Sequence, residues 1–179
     1  MKRKRVFLTE LVCMVLLIIA DRVSKIWADT SLQQESDGID LIPGVLKFYY
    51  LPNGNTGAAF GMFKGQIWLF IVMTVLIVCV VLYVLSHLPI EKKYIPLHLT
   101  LVFIISGGIG NLIDRIMHGY VVDFIYFYLI NFPIFNVADI FVSVSTTILV
   151  ILLLFCFREE DFKYLESLLV PSYFRRHKD

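Results

Sequence analysis

Ile67-Trp68-Leu69-Phe70-Ile71-Val72-Met73-Thr74-Val75-Leu76-Ile77-Val78-Cys79-Val80-Val81-Leu82-Tyr83-Val84-Leu85 contains no charged residue. Crossing the roughly 30 Å hydrocarbon layer of a bilayer takes about 20 mostly apolar residues, so this stretch reads as a membrane-spanning helix. Gly65 and Pro89 bracket it, as helix-stopping residues should. Outward from this span, three more segments qualify: residues 6–28, residues 95–113, and residues 137–157 with Asp139 as their one charge. Pro96 stands at the start of the third, where a missing N–H costs little.

Composition agrees with a lipid solvent. The 179 residues are 58% hydrophobic and only 17% charged, with a mean hydropathy of +0.77. Soluble domains average about 25% charged residues, so this chain has too little polar side chain to cover a water-facing surface. A formal net charge of +1 supplies no phosphate-neutralising face, and nucleic acid is excluded as a partner. Cys13, Cys79 and Cys156 lie in distant apolar runs and read as small buried hydrophobes rather than a disulfide or metal framework. Met1-Lys2-Arg3-Lys4-Arg5 before an apolar run imitates a secretory signal peptide, but no A-x-A site follows, so a retained signal-anchor helix is expected.

Lys and Arg set the orientation. Lys2, Arg3, Lys4 and Arg5, the Lys92-Lys93 loop, and Arg158, Lys163, Arg175, Arg176 and Lys178 of the tail 158–179 all fall on one side. The opposite side keeps Lys47 and Lys64, with Arg22, Lys25 and Arg115 at helix ends. The positive-inside rule then places both termini in the cytoplasm. The outer connections, 29–66 and 114–136, are too long for tight turns. Within the first, Leu46-Lys47-Phe48-Tyr49-Tyr50-Leu51 ends at Pro52-Asn53-Gly54 and predicts a small sheet at the membrane surface. Phe162, Tyr164, Leu165, Leu168 and Leu169 among charges predict an amphipathic helix on the cytoplasmic face.

The unusual polar residues gather at the outer ends of these spans. Asp21, Ser24 and Lys25 close the first, Asn55-Thr56-Gly57 precedes the second, Asn111, Asp114 and Arg115 close the third, and Asn136 and Asp139 open the fourth. Asp123 lies between the last two sets. An ionisable residue at membrane depth is expensive and is usually paired or set against a wet cavity. Asp21 and Lys25, four apart with the acid first, fit an ion pair that anchors the helix at the interface. Asn111, Asp114 and Arg115 share one helix turn, with Asp114 and Arg115 pointing apart; Arg115 is either a snorkelling anchor or a ligand for a phosphate, a substrate carbonyl or Asp123. Ser106-Gly107-Gly108-Ile109-Gly110 leaves helix three nearly bare, which invites close approach by a neighbouring helix or a substrate segment. Asn55 and Gly57 fit either a plain turn or a backbone-binding edge.

Asn136-x-x-Asp139 matches an N-cap and N3 pair. Capping leaves Asp123 unexplained, a carboxylate between apolar neighbours in Tyr120-Val121-Val122-Asp123-Phe124-Ile125. Two carboxylates sharing one proton can deprotonate a water and polarise a scissile carbonyl, so an aspartic protease stands beside the plainer reading of a cap and an isolated loop acid. A proton-coupled transporter would need polar residues strung through the membrane, and spans two and four are apolar to their inner ends. A structural tetraspan would need no acids at one leaflet.

These blocks together resemble the lipoprotein signal peptidases, the type II signal peptidases. The resemblance rests on Asp21-Arg22-Val23-Ser24-Lys25, Asn55-Thr56-Gly57-Ala58-Ala59-Phe60-Gly61, Gly107-Gly108-Ile109-Gly110-Asn111-Leu112-Ile113-Asp114-Arg115, Gly119-Tyr120-Val121-Val122-Asp123-Phe124 and Phe135-Asn136-Val137-Ala138-Asp139, in the family's order. It implies an all-α membrane protein, one domain over 1–179, with four transmembrane helices, a small extracytoplasmic sheet and a flexible helix or loop over the site. It also implies an aspartic endopeptidase of the bacterial cytoplasmic membrane that cuts just before a diacylglyceryl-bearing cysteine of prolipoproteins. Asp123 and Asp139 would be catalytic; Asn55, Gly57, Asn111, Arg115 and Asn136 would meet substrate; Asp21, Lys25 and Asp114 would support them. The expected partners are the diacylglyceryl-prolipoprotein and membrane lipids, the expected state is a monomer, and no metal or other cofactor is called for. Departures are the continuation past span four and the polar stretch Gln33-Gln34-Glu35-Ser36-Asp37-Gly38.

Overall fold

Helix α1, Lys2–Ser31, extends beyond the expected apolar span at both ends because nothing in its flanks breaks a helix. A computed structural model describes residues 2–52, 54–57 and 66–169, without the side chains of Leu168 and Leu169. The Ala58-Ala59-Phe60-Gly61 part of the second block, Lys64, and the tail residues Arg175, Arg176 and Lys178 lie outside the described residues, as does any covering helix that falls on 58–65. After α1 come strands β1, Ile39–Ile42, and β2, Leu46–Phe48, then α2, Ile67–His87, and α3, Ile95–His118. Strand β3, Ile125–Tyr126, precedes α4, Val137–Ile151, which runs into a wider π turn over Leu152–Cys156, and α5 follows at Glu159–Leu169.

Among the described residues, three helical stretches are long and apolar enough to cross a membrane: Ile67–His87, Lys92–His118 and Val137–Cys156. Helix α1 is long enough but carries Glu10, Asp21, Arg22 and Lys25 along its length. Helix α3 is the central post. Leu97, Leu101, Val102 and Ile105 on it are buried against Met14 of α1, Leu85 of α2 and Leu152 after α4. It continues past the expected end at 113 to His118, because Asn111, Asp114 and Arg115 are themselves helical. Gly119, at φ 75°, turns the chain out and its N–H returns to Arg115 O, a left-handed stop that favours glycine. Helix α2 exposes most of its apolar surface, including Trp68, Leu76 and Val80.

The strands pair antiparallel in the order β1-β2-β3, with Lys47 opposite Tyr126 and Phe48 opposite Ile125. The aromatic stretch thus forms the middle strand, as its residue types predict. Beyond Phe48 the chain stays extended, and Tyr49 N–H and Leu51 N–H donate to Phe124 O and Asp123 O. One face of the sheet closes over Ala28 and Leu32 at the end of α1, where Trp27, Phe48 and Phe124 stack edge to face. The connections 29–66 and 114–136 are therefore bonded to each other, and Asp123 is fixed between the sheet and the helix ends.

The tail helix α5 is amphipathic, and it is also tied down. Asp161 accepts from Tyr94 Oη at 2.6 Å, from Lys93 Nζ and from Arg158 N at 2.8 Å. Lys93 and Tyr94 together pull the Asp161 carboxyl down to about 2.

Candidate active site

The turn opening α4 does what its sequence predicts. Asn136 is extended, its side-chain oxygen accepts from Asp139 N at 3.0 Å, and Asp139 Oδ2 accepts from Asn136 N at 3.1 Å. Two otherwise unpaired N–H groups at the helix start are satisfied reciprocally. The box leaves one edge of each side chain free for other partners. Asp139 Oδ1 accepts from Asn111 Nδ2 of α3 at 2.7 Å. Asn136 Nδ2 donates to Asp123 Oδ1 at 2.6 Å and to Asn111 Oδ1 at 3.1 Å. Asn136 therefore bonds both carboxylates, Asp123 through its side-chain amide and Asp139 through its backbone N–H.

Asp123 comes from the irregular chain just before β3 and is 2% exposed. Its second oxygen accepts from Asn55 Nδ2 at 2.8 Å. Asn55 is fixed in turn by a reciprocal backbone pair with Val121, at 2.9 Å each way, and its Oδ1 accepts from Gly57 N at 3.0 Å. The turn expected of Asn55-Thr56-Gly57 forms through that side-chain bond, and the same Asn55 side chain pins a carboxylate, a role its sequence did not announce. Burial, and then the adjacent Asp139 carboxylate, push Asp123 up to about 7, although Asn55 and Asn136 favour its ionised form. A group that exchanges its proton near neutrality is suited to acid–base work.

A cavity of about 510 Å³ opens beside Asp139, lined by Asn55, Gly57, Arg115 and Asp139 together with the apolar Phe132, Ile140 and Val144. Asp139 reaches the cavity directly, while Asp123 sits behind it. Arg115 does not ion-pair with Asp123. Its guanidinium lies 5.1 Å over the Phe70 ring, its Nη1 donates to Asn111 O at 3.4 Å, and it faces the cavity. No group of three or more His, Cys, Asp or Glu among the described residues is placed to hold a metal ion.

The expected ion pair of Asp21 and Lys25 forms at 2.9 Å, but it is turned inward rather than set at a surface, with side chains 0% and 1% exposed. Lys25 Nζ also lies 2.9 Å from Asp114 Oδ2 and donates to Asn111 Oδ1 at 2.9 Å. Asp114 and Arg115 do point apart, the first into this cluster and the second into the cavity. The bare turn of α3 serves a neighbouring helix. A methyl group on Gly107 would come within 2.5 Å of Ala138 O of α4, and one on Gly110 within 2.5 Å of Asp21 Oδ2 of α1. Arg22, which the sequence reading left as a basic helix end, pairs with Asp114 Oδ1. The signal available for it was three charges within one turn, more than an interfacial anchor needs.

The signal peptidase (SPase) II family profile matches residues 13–155. The chain belongs to the signal peptidase II family. Members of this family named lipoprotein signal peptidase include those of Streptococcus pyogenes serotype M1, 41% identical over 164 residues, and serotype M5 (strain Manfredo), 40% identical over 163 residues. Each alignment covers 89% of this chain and 98% of the relative. Two solved structures described as a bacterial membrane enzyme determined by the in meso method are similar at 29% identity, with TM-scores of 0.71 and 0.69. Both cover 82% of this chain, and this chain covers 87% and 93% of theirs. As a signal peptidase II family member the chain is a peptidase, and its apolar helices fit a membrane enzyme.

Proposed function

We propose that this signal peptidase II is a four-span aspartic endopeptidase that removes the signal peptide from bacterial prolipoproteins, cutting just before a diacylglyceryl-modified cysteine. The observation that carries the aspartic reading is the pair Asp123 and Asp139, both bonded by Asn136, with Asp139 lining a cavity of mixed polar and apolar residues. The relatives' name, lipoprotein signal peptidase, supports the substrate. In this reading α1 spans residues 6–28 beside the three apolar helices, the whole of 1–179 is one domain, the protein acts as a monomer, and both termini are cytoplasmic. The diacylglyceryl group stays in the outer leaflet while the adjoining peptide bond meets water at the pair.

The chemistry needs one ionised and one protonated acid. The ionised carboxylate takes a proton from a water whose oxygen adds to the scissile carbonyl carbon. The protonated acid hydrogen-bonds the carbonyl oxygen and neutralises it as the tetrahedral intermediate forms. Collapse breaks the C–N bond: the first acid gives its proton to the departing amine, and the second takes one back from a hydroxyl of the intermediate, which leaves a carboxylic acid and restores the starting pair. Asn55, Asn111 and Asn136 hold the carboxylate oxygens in place, Gly57 presents backbone to an extended peptide, and Arg115 offers donors to a substrate carbonyl across the cavity.

The test combines two comparisons with purified protein. Asp123→Asn and Asp139→Asn should each lower kcat at least a thousandfold with folding intact, since an amide oxygen still accepts the bonds that cap α4. A tenth of wild-type kcat in Asp139→Asn, with normal substrate binding, would leave capping as its whole role. An unlipidated precursor should be cut poorly even at saturation, because binding energy from the lipid is used to position the bond. Equal turnover of both precursors would remove the lipid from the reaction.

A further inference from the structure

Lys25 reaches neither Asp123 nor Asp139, yet each group it contacts leads to one of them. Its ammonium lies 2.9 Å from each of three oxygens, pairing with the carboxylates at Asp21 Oδ2 and Asp114 Oδ2 and donating a hydrogen bond to Asn111 Oδ1. Asp21 Oδ1 accepts from Ala138 N at 3.0 Å, and Ala138 is the residue before Asp139. Asp114 Oδ2 accepts from Val122 N at 3.3 Å, and Val122 is the residue before Asp123. Asn111 completes the set by donating to Asp139 Oδ1. Two carboxylates on two other helices thus grip the amide immediately preceding each acid, and one ammonium holds both grips.

We propose that Lys25 is a positioning residue that sets the two reacting carboxylates relative to each other, through Asp21 for Asp139 and through Asp114 for Asp123. This rests on the reading of Asp123 and Asp139 as the reacting pair. Fixing the N–H of Val122 and of Ala138 restrains the backbone one residue before each acid. Ala138 N–H is also one of the first-turn donors of α4 that lack a helical acceptor, and a carboxylate is the favoured partner there. Gly110 is bare where Asp21 lies against α3, which lets that carboxylate reach across. Arg22 on the other oxygen of Asp114 brings the cluster to two cations and two anions. Helix adhesion alone does not call for this arrangement, since apolar residues of similar volume commonly hold buried helices as well or better.

The experiment measures kcat and KM for a lipidated precursor, with amide exchange at residues 122 and 138, in folded variants. Lys25→Arg keeps the charge but replaces three converging donors with a planar fork. The double variant Lys25→Met with Asp21→Asn removes one cation and one anion, so no charge is stranded. Both should keep KM within about twofold and lose about a hundredfold in kcat, the scale of a misplacement near 1 Å. Exchange should quicken at both amides in the double variant, but only at Val122 in Asp114→Asn. Wild-type kcat in folded Lys25→Arg or in the folded double variant overturns the proposal. Asp123→Asn and Asp139→Asn serve as controls: turnover in either overturns the dyad and this inference with it, whereas inactive controls beside a fully active double variant overturn this inference alone.

Discussion

Asp123 keeps its proton to about pH 7 because it is buried and because Asp139 is near. Its folded-state pKa therefore lies above its unfolded value of about 3.9, so between these the folded protein binds a proton that the unfolded chain has released. The stability from this group is full below about pH 4 and is lost as pH rises through 7. Asp123→Asn does not titrate, so the variant should gain on the wild type by roughly 4 kcal/mol between about pH 4 and pH 8, at 1.36 kcal/mol per pK unit. Thermal unfolding in detergent at both pH values checks this, and parallel profiles would show that Asp123 titrates normally. Much of this site is legible residue by residue: Asn-x-x-Asp announces the cap, and an acid among apolar neighbours announces Asp123. Partners separated by whole helices are not. No local pattern says that Asp21 reaches Ala138 N–H or that Arg22 meets Asp114, because those contacts depend on how α1, α3 and α4 cross.

At the level of elements, the bare turn of α3 is what lets those crossings come close. Gly107 and Gly110 face Ala138 O and Asp21 Oδ2, backbone and buried carboxylate that cannot swing aside, while a methyl group on Gly108 would meet Val78 Cγ2 at 3.3 Å. Gly107→Ala and Gly110→Ala should each cost about 1–3 kcal/mol, the usual penalty of overpacking. Gly108→Ala should be nearly neutral, because alanine gains about 1 kcal/mol of helix propensity against a mild contact. Unfolding temperatures of the three proteins measure the contrast; equal losses would mean that all three positions pack alike. Helix type is legible here because apolar runs are local, and so is the stop of α2 at Pro89; the end of α3 is not, since its polar last turn stays helical past 113 as far as His118. The middle strand β2 is legible from its aromatic residues. Strand β1 is not, since Ile39-Asp40-Leu41-Ile42 follows a polar stretch and all four of its residues stay exposed; it is a strand because β2 lies beside it.

For the molecule as a whole, the proposed topology places the sheet and cavity on one side of the membrane and α5 on the other. A variant lacking Cys13, Cys79 and Cys156, with single cysteines at Asp37 or Glu91, tests this in intact cells. An impermeant maleimide should label residue 37 from outside and residue 91 only after permeabilisation; labelling of both from outside would break the four-span reading. The cluster around Lys25 has a further consequence, for the timing of synthesis. A ribosome delivers Asp21, Arg22 and Lys25 well before Asn111 and Asp114, and Ala138 later still. A charge at the centre of a lone membrane helix costs about 2.5–3.5 kcal/mol, so the young α1 holds these side chains toward water until α3 arrives to receive them. Asp123 and Asp139 are translated after both. In the proposed reading a nascent chain therefore has no working blade to turn on the leader peptides emerging beside it, and the protease comes into being only when its last span is in place.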